Sequence, residues 1–202
     1  MSVKRIFDLF FATVGTFFLL PVLVPVAIAI KVDSRGPIFF RQVRVGRNGE
    51  PFRIFKFRTM VTDAEKCGPL VSSGDDPRIT RIGALLRKYK IDELPQLLNV
   101  ISGEMSLVGP RPEVPKYVAA YPDDYKFILK VRPGITDYAS LEFKDENSLL
   151  RSADDPEKKY IEEILPIKIK FYKKYITEQS LLTDFKLILK TLKGIFFSSV
   201  GV

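Results

Sequence analysis

Residues Leu9 to Ile30 read LFFATVGTFFLLPVLVPVAIAI, and not one of them is charged. A bilayer core takes ~20 apolar residues as a helix, so on length alone this stretch can cross a membrane. Three features complicate a simple crossing. Pro21 and Pro25 fall in its second half, where each removes a backbone donor and bends a helix. Asp8 abuts its start, and basic residues flank both ends: Lys4 and Arg5 before, then Lys31, Arg35 and Arg41 after. Lys and Arg favour the cytoplasmic side, so a basic flank at each end suits a segment that dips in and returns. A helix of about 12 residues rises only ~18 Å, short of a crossing. The reading is a re-entrant helical hairpin over residues 1–31, broken near Leu20-Pro21, with an ordinary proline-kinked transmembrane helix as the alternative. Ala27-Ile28-Ala29 imitates a signal-peptide cleavage site, but the apolar run exceeds the usual ~7–15 residues and contains prolines.

The composition around this segment narrows the chemistry. The 202 residues are 46% apolar and 28% charged, which suits one folded unit over residues 32–202 behind the hydrophobic segment. Histidine is absent, which removes imidazole bases, imidazole metal ligands and Ser-His or Cys-His triads. The lone cysteine, Cys67, excludes an intrachain disulfide and a cysteine-cluster zinc site. Any metal is then a hard, oxygen-ligated cation, with Mg2+ the default where phosphates are handled. The net charge of +8 concentrates next to the greasy segment, where Arg41, Arg44, Arg47, Arg53, Lys56 and Arg58 are opposed only by Asp33 and Glu50. A membrane surface with phosphate substrates explains that adjacency better than nucleic acid, for which no reading motif is present.

Farther along, Ile38 to Val45 and Phe52 to Phe57 have strand character around a Gly46-Arg47-Asn48-Gly49 turn, which predicts a β-hairpin. Thr62 to Pro77 reads as a loop and Ile79 to Tyr89 as a helix. Asp92 is placed to cap a second helix, with Pro95 in its first turn and Gly103 at its end. Gly109-Pro110-Arg111-Pro112 and Arg132-Pro133-Gly134 are stiff turns. Pro156 to Tyr175 reads as charged helix interrupted at Pro166. Leu181 to Phe197 spaces Leu181, Phe185, Ile188, Leu192 and Ile195 amphipathically, as a membrane-surface or core-packing helix would. The fold class is α+β, mostly helical, with one small hairpin and amphipathic interfacial helices.

The acid pair Asp92-Glu93 can divide the work of a site, one carboxylate attacking and the other binding metal. Alone, it reads more readily as a helix cap with a first-turn acid. Its context is cationic: Arg78, Arg81, Arg87, Lys88 and Lys90 precede it, and Arg111 and Arg132 follow on proline-held turns suited to gripping phosphate. No Gly-x-Gly-x-x-Gly or Walker loop occurs, so the residues indicate phosphoryl chemistry without a nucleotide-fold fingerprint.

Several stretches resemble the bacterial sugar transferases, the monotopic polyprenyl-phosphate phosphoglycosyltransferases in their short catalytic form. They are Lys56-Phe57-Arg58-Thr59-Met60, Asp76-Pro77-Arg78-Ile79-Thr80, Asp92-Glu93-Leu94-Pro95-Gln96-Leu97, Val108-Gly109-Pro110-Arg111-Pro112 and Arg132-Pro133-Gly134-Ile135-Thr136. The resemblance implies an enzyme of the cytoplasmic face of the bacterial inner membrane, with residues 32–202 as its catalytic domain. It would transfer a sugar phosphate from a UDP-sugar to polyprenyl phosphate, with Mg2+ as cofactor. Asp92 matches the nucleophile that forms a covalent phosphosugar and releases UMP, and Glu93 the neighbouring acid associated with Mg2+. Lys56, Arg58, Arg78, Arg87, Arg111 and Arg132 are then phosphate-binding candidates, and Asp184 a further metal candidate. Membrane lipid is an expected partner, nucleic acid is not, and the oligomeric state is open, a homodimer included.

The chain departs from the family pattern in two places. Leu20-Pro21 stands where many members have Ser-Pro, and Asp137-Tyr138-Ala139-Ser140-Leu141-Glu142-Phe143 replaces a Gly- and Gln-containing stretch, which leaves the sugar open. Two other readings remain: a glycosyltransferase releasing UDP, and a non-catalytic membrane scaffold binding anionic lipid.

Overall fold

The computed structural model describes residues 2–64, 68, 76–143, 146–151 and 153–197. Its first element, α1, is one continuous helix, Val3–Asp33. The break expected at Leu20-Pro21 is therefore not present: Pro21 and Pro25 both sit inside the helix. Each proline deletes one ladder hydrogen bond, and the cost is offset because one stripe of the helix packs on the body along its length. Asp8, Ala12 and Ile30 on that stripe are buried, and Leu23, Val26 and Ala27 are partly so. The opposite face presents Phe10, Phe17, Phe18, Val24 and Ile28 to the outside, with Phe18 73% exposed. An apolar face of that size on a soluble surface marks contact with lipid or protein.

Both ends of α1 are fastened to the same body. At the start, the Asp8 carboxylate accepts from the Ser106 hydroxyl (2.8 Å) and the Leu107 amide (3.2 Å), and Arg5 donates to the carbonyls of Ile101 and Met105. At the end, Asp33 accepts from the Ile82 amide (3.2 Å). The Arg58 guanidinium donates to the carbonyls of Ile30, Ser34 and Arg35, at the last turn of α1 and just beyond it.

The predicted hairpin is present as two short ladders. Strand β1 (Phe39–Phe40) pairs antiparallel with β4 (Lys56–Phe57), and β2 (Val43–Val45) with β3 (Pro51–Arg53). Its turn requires left-handed backbone, supplied by Asn48 (φ 59°) and Gly49 (φ 83°). Inward-facing Phe52 and Ile54 join Ala12, Val100 and Met105 in a small core, while Phe57 meets Ile30 and Leu86 in another.

Helix α2 (Arg81–Lys88) is capped by the Thr80 hydroxyl, which accepts from the Gly83 amide at 3.0 Å. Gly83 lies so close to the strand exit that a Cβ there would fall 2.0 Å from the Thr59 carbonyl oxygen. The next turn differs from expectation. Asp92 does not cap a helix; it lies in a 3-10 turn, Ile91–Glu93, and Pro95 takes the position before α3 (Gln96–Ser102). Gly103, at φ 94°, ends α3 as its composition implies.

Strand β5 (Ser106–Val108) then pairs in parallel with β6 (Gly134–Thr136), across the two short helices α4 (Pro115–Ala120) and α5 (Pro122–Ile128). Helices α6 (Tyr138–Glu142), α7 (Glu146–Arg151) and α8 (Pro156–Lys159) follow. A π-helical turn, Tyr160–Ile164, joins α8 to α9 (Leu165–Thr177), so the interruption predicted at Pro166 takes the form of a wider turn just before it. The largest core lies here, where Tyr117, Ile128, Leu150, Ile164, Leu165 and Tyr172 pack together. The amphipathic tail is α10 (Leu181–Phe197), whose Leu187 is buried against Val108 and Tyr175. The loop expected over Thr62 to Pro77 lies mostly outside the described residues, as does Cys67.

Candidate active site

Strand β4, the C-terminal end of α2, the 3-10 turn and the Gly109–Pro112 turn meet around one cavity of about 960 Å³. Seven of the site residues singled out in the sequence line it: Lys56, Arg58, Arg78, Arg87, Asp92, Glu93 and Arg111. Glu93 is the hub. Its Oε1 accepts from Lys56 Nζ at 2.8 Å and from Arg111 Nη2, and its Oε2 accepts from Arg111 Nη1 at 3.3 Å. The Arg111 fork therefore grips Glu93 bidentately, the geometry in which arginine–carboxylate pairing is strongest.

Burial raises the Glu93 carboxyl, but the neighbouring Arg111 and Lys56 charges and their hydrogen bonds outweigh it and hold this acid well below the usual carboxylate range. The Glu93 charge in turn lifts Arg111 well above its ordinary value. Lys56 is lowered by burial, an effect that Glu93 opposes and Arg111 reinforces. Asp92 goes the other way from Glu93: burial and then Glu93 raise it, against Lys56, Arg87 and Lys90. Two adjacent carboxyls are thus pushed apart, one firmly ionised and one held closer to protonation, the pattern of paired acids with different tasks. Asp92 is only 8% exposed, and its Oδ1 has no hydrogen-bond partner.

The supports of these groups are visible in the fold. Asn99, fully buried on α3, accepts from the Phe55 amide (2.7 Å) and donates to the Arg53 carbonyl (3.0 Å), which fixes the strand carrying Lys56 against the helix that follows the acid pair. Asp137 accepts from the Arg111 amide (3.2 Å) while capping α6 through the Ser140 amide (2.6 Å). Arg87 Nε donates to the Thr59 hydroxyl at 2.9 Å.

The remaining candidates are placed differently. Arg78 lines the cavity with its guanidinium on Asp76, including an Nη2–Oδ2 contact of 2.6 Å. Arg58 also borders it, but its Nη1 and Nη2 are committed to the end of α1. Arg132 is not among the lining residues and donates to the Gly103 carbonyl. Asp184 is likewise outside, buried between Lys4 Nζ (2.5 Å) and the Tyr175 hydroxyl (2.7 Å), where it ties α1 to α10. Among the described residues no group of three or more Asp, Glu, Cys or His side chains is arranged to hold a metal. Mg2+ nonetheless fits this donor set, since it is commonly held by one or two carboxylates plus substrate phosphates, and Asp92 keeps an unused oxygen. Arg44, named in the sequence only within the basic block, also lines the cavity, as do Glu113, Tyr160 and Lys168, which the sequence did not single out; of these three only Glu113, directly after the rigid Gly109–Pro112 turn, carried a local signal.

Known proteins are similar to this chain along most of its length. The sequence model of the family described as bacterial sugar transferase matches residues 1–198. An undecaprenyl-phosphate glucose phosphotransferase of Komagataeibacter xylinus is 40% identical over 205 residues, covering 98% of this chain and 36% of that protein. A UDP-glucose:undecaprenyl-phosphate glucose-1-phosphate transferase of Escherichia coli (strain K12) is 35% identical over 196 residues, covering 94% of this chain and 39% of that protein. An uncharacterized sugar transferase of Bacillus subtilis (strain 168), EpsL, is 36% identical over 201 residues, 98% of this chain and 89% of that protein. The chain spans well under half the length of the first two and most of the third.

Proposed function

The chain belongs to the bacterial sugar transferase family, and we propose that it moves a sugar 1-phosphate from a UDP-sugar to polyprenyl phosphate at the cytoplasmic face of the inner membrane. The observation that carries this reading is the under-bonded Asp92 Oδ1 beside a cavity whose cations, Lys56, Arg87 and Arg111, are those a diphosphate requires.

In this mechanism an ionised Asp92 oxygen attacks the sugar-bearing β-phosphorus. The bond from that phosphorus to the oxygen bridging the α-phosphate breaks, and UMP leaves with the electron pair. Polyprenyl phosphate then attacks the same phosphorus, the aspartyl–phosphorus bond breaks, and Asp92 returns as carboxylate. Lys56 and Arg87 face the charge of the transferred and leaving phosphates, while Arg111 is held by Glu93 and Asp137 in a fixed pose, so little reorganisation accompanies the reaction. Asp92 and Glu93 are the residues that would hold Mg2+, which supplies neutralisation of phosphate charge when bound. The apolar outer face of α1 seats the enzyme in the lipid, and its two anchored ends favour a topology in which both remain on the cytoplasmic side.

The test is nucleotide release by detergent-solubilised protein with undecaprenyl phosphate, Mg2+ and a panel of UDP-sugars. UMP appearing only with an active donor supports the scheme. UDP in its place would mean an ordinary glycosyltransferase, and a folded protein silent with every donor would favour the lipid-binding scaffold.

A further inference from the structure

Behind Arg111 the cavity has a second wall, made of groups that phosphate transfer does not need. Glu113, 3% exposed, directs Oε1 to the hydroxyls of Tyr160 (2.7 Å) and Tyr172 (3.4 Å). Its Oε2 faces Arg44 Nη1 at 3.8 Å, beyond hydrogen-bond length, and Arg44 Nε is buried with no partner. Lys168, 4% exposed, pairs with Glu146, reaches the Tyr160 hydroxyl at 3.3 Å and lies 4.7 Å over that ring. The Phe143 ring borders the same space.

Two charged side chains taken out of water on this wall, Glu113 and Lys168, carry a desolvation cost that apolar residues of like volume would avoid, while Arg44 and Glu146 are partly exposed. Their arrangement also differs chemically from the cationic side. It alternates acceptor, donor and neutral hydroxyl; Arg44 donates to the Pro112 carbonyl (3.0 Å) and to Gln42, and its Nε is left without a partner. Arg44 and Lys168 balance Glu113 and Glu146, so this wall offers a diphosphate no net attraction. A neutral ring bearing several hydroxyls, each both donor and acceptor, matches the pattern, and Phe143 offers an apolar surface for the ring's C–H face.

Building on the transferase reading above, we propose that Arg44, Glu113, Tyr160 and Lys168 form the subsite that recognises the hydroxyls of the donor sugar and so select which sugar is transferred. The polyhydroxyl ring lies against this wall, with its phosphate toward Arg111 and Asp92. The π-helical turn serves the subsite by presenting Tyr160 to Glu113 and Lys168 together, a usage in keeping with the frequent placement of π-turns at functional sites.

The experiment compares kcat/KM for the best UDP-sugar with its deoxy analogues, one ring hydroxyl at a time, using the full chain in detergent. Removing at least one hydroxyl is expected to lower wild-type kcat/KM about tenfold or more, as for a lost hydrogen bond to a charged group. Tyr160→Phe and Lys168→Met should each lower kcat/KM for the parent donor by a similar factor and erase its advantage over that deoxy donor. The KM for polyprenyl phosphate and inhibition by UMP should stay within about twofold, which general loosening of the fold would not spare. Glu113→Gln preserves volume and provides the same readout should either other variant fail to fold. Folded variants that keep the wild-type ratio for every deoxy donor would overturn the proposal and leave the transferase reading intact. A wild type that releases no nucleotide with any UDP-sugar would remove both.

Discussion

Replacing Asp92 by Asn should abolish turnover and at the same time stabilise the protein. The carboxylate is nearly buried, and one of its oxygens is without a partner. An unpaired buried acceptor costs about 1–3 kcal/mol, and more when it is charged. Asn retains the neutral part of that cost but sheds the charge, so the expected gain is about 1–2 kcal/mol at neutral pH. For a chain of this size that corresponds to a rise in Tm of roughly 2–8 °C. The pH dependence fixes the sign. Asp92 is raised above its unfolded value, so its ionised form opposes folding. The advantage of Asn is therefore full above the folded pKa of Asp92, fades as pH falls through it, and is gone below the ordinary carboxylate value, where Asp92 is neutral in both states. Thermal melts of both proteins in one detergent across that pH range, together with nucleotide release, provide the assay. A variant less stable than wild type at neutral pH, or a gain that persists unchanged in acid, would refute the account of Asp92 as a desolvated, underbonded nucleophile. Retained turnover would separately remove it from the chemistry.

Arg111→Ala should cost about 2–3 kcal/mol in kcat/KM, roughly 30- to 150-fold, because it loses a bidentate partner of Glu93 as well as the proposed phosphate contact; steady-state UMP release measures it. Gly83→Ala should destabilise by about 1–3 kcal/mol or more in a thermal melt, since its Cβ would sit 2.0 Å from the Thr59 carbonyl oxygen, a backbone atom that cannot yield locally. Arg58→Met should loosen the end of α1, seen as faster amide exchange around Ile30 to Ser34 and a loss of about 1–3 kcal/mol, as expected for orphaned carbonyls. On the acid limb, turnover should fall as pH drops through the raised pKa of Asp92, at a pH above the ordinary aspartate value, in a pH profile of kcat/KM.

The local signals in the sequence correspond to elements whose cause is local. Asn48-Gly49 needs left-handed backbone and makes the hairpin turn; Gly103 ends α3; Pro166 disturbs the helix around it. The acid pair was legible as a site because cations crowd it in the sequence as well as in space. Features set by distant contacts were not legible. Asp92 looks like a cap by position, but packing against Lys56 and the cavity makes it part of a buried turn. The pairing of β5 with β6 joins three-residue strands separated by two helices, too short to leave a period-2 pattern. Arg58 and Arg132 share the residue type of a phosphate ligand and differ only in the carbonyls that occupy them. Lys168 sits in a charged helix whose sequence shows no sign that this one lysine turns inward. Two prolines suggested a broken α1 because local geometry argues for a break, whereas docking along the body keeps the helix whole.

The widened turn at Tyr160–Ile164 is equivalent to one extra residue threaded into an otherwise α-helical rod. Each residue of an α-helix turns the chain by about 100°, so that extra residue works as a vernier between two rigid segments. Deleting any one of Ile161 to Glu163 would let the rod close into ordinary helix, with helical content almost unchanged to circular dichroism. It would also rotate α8 and Tyr160 by roughly that angle relative to α9, carrying the tyrosine hydroxyl away from Glu113 while Lys168 stayed in place. Family members that gain or lose a residue at this point would thus acquire a differently patterned wall in one step, with Lys56, Arg87 and Arg111 across the cavity untouched.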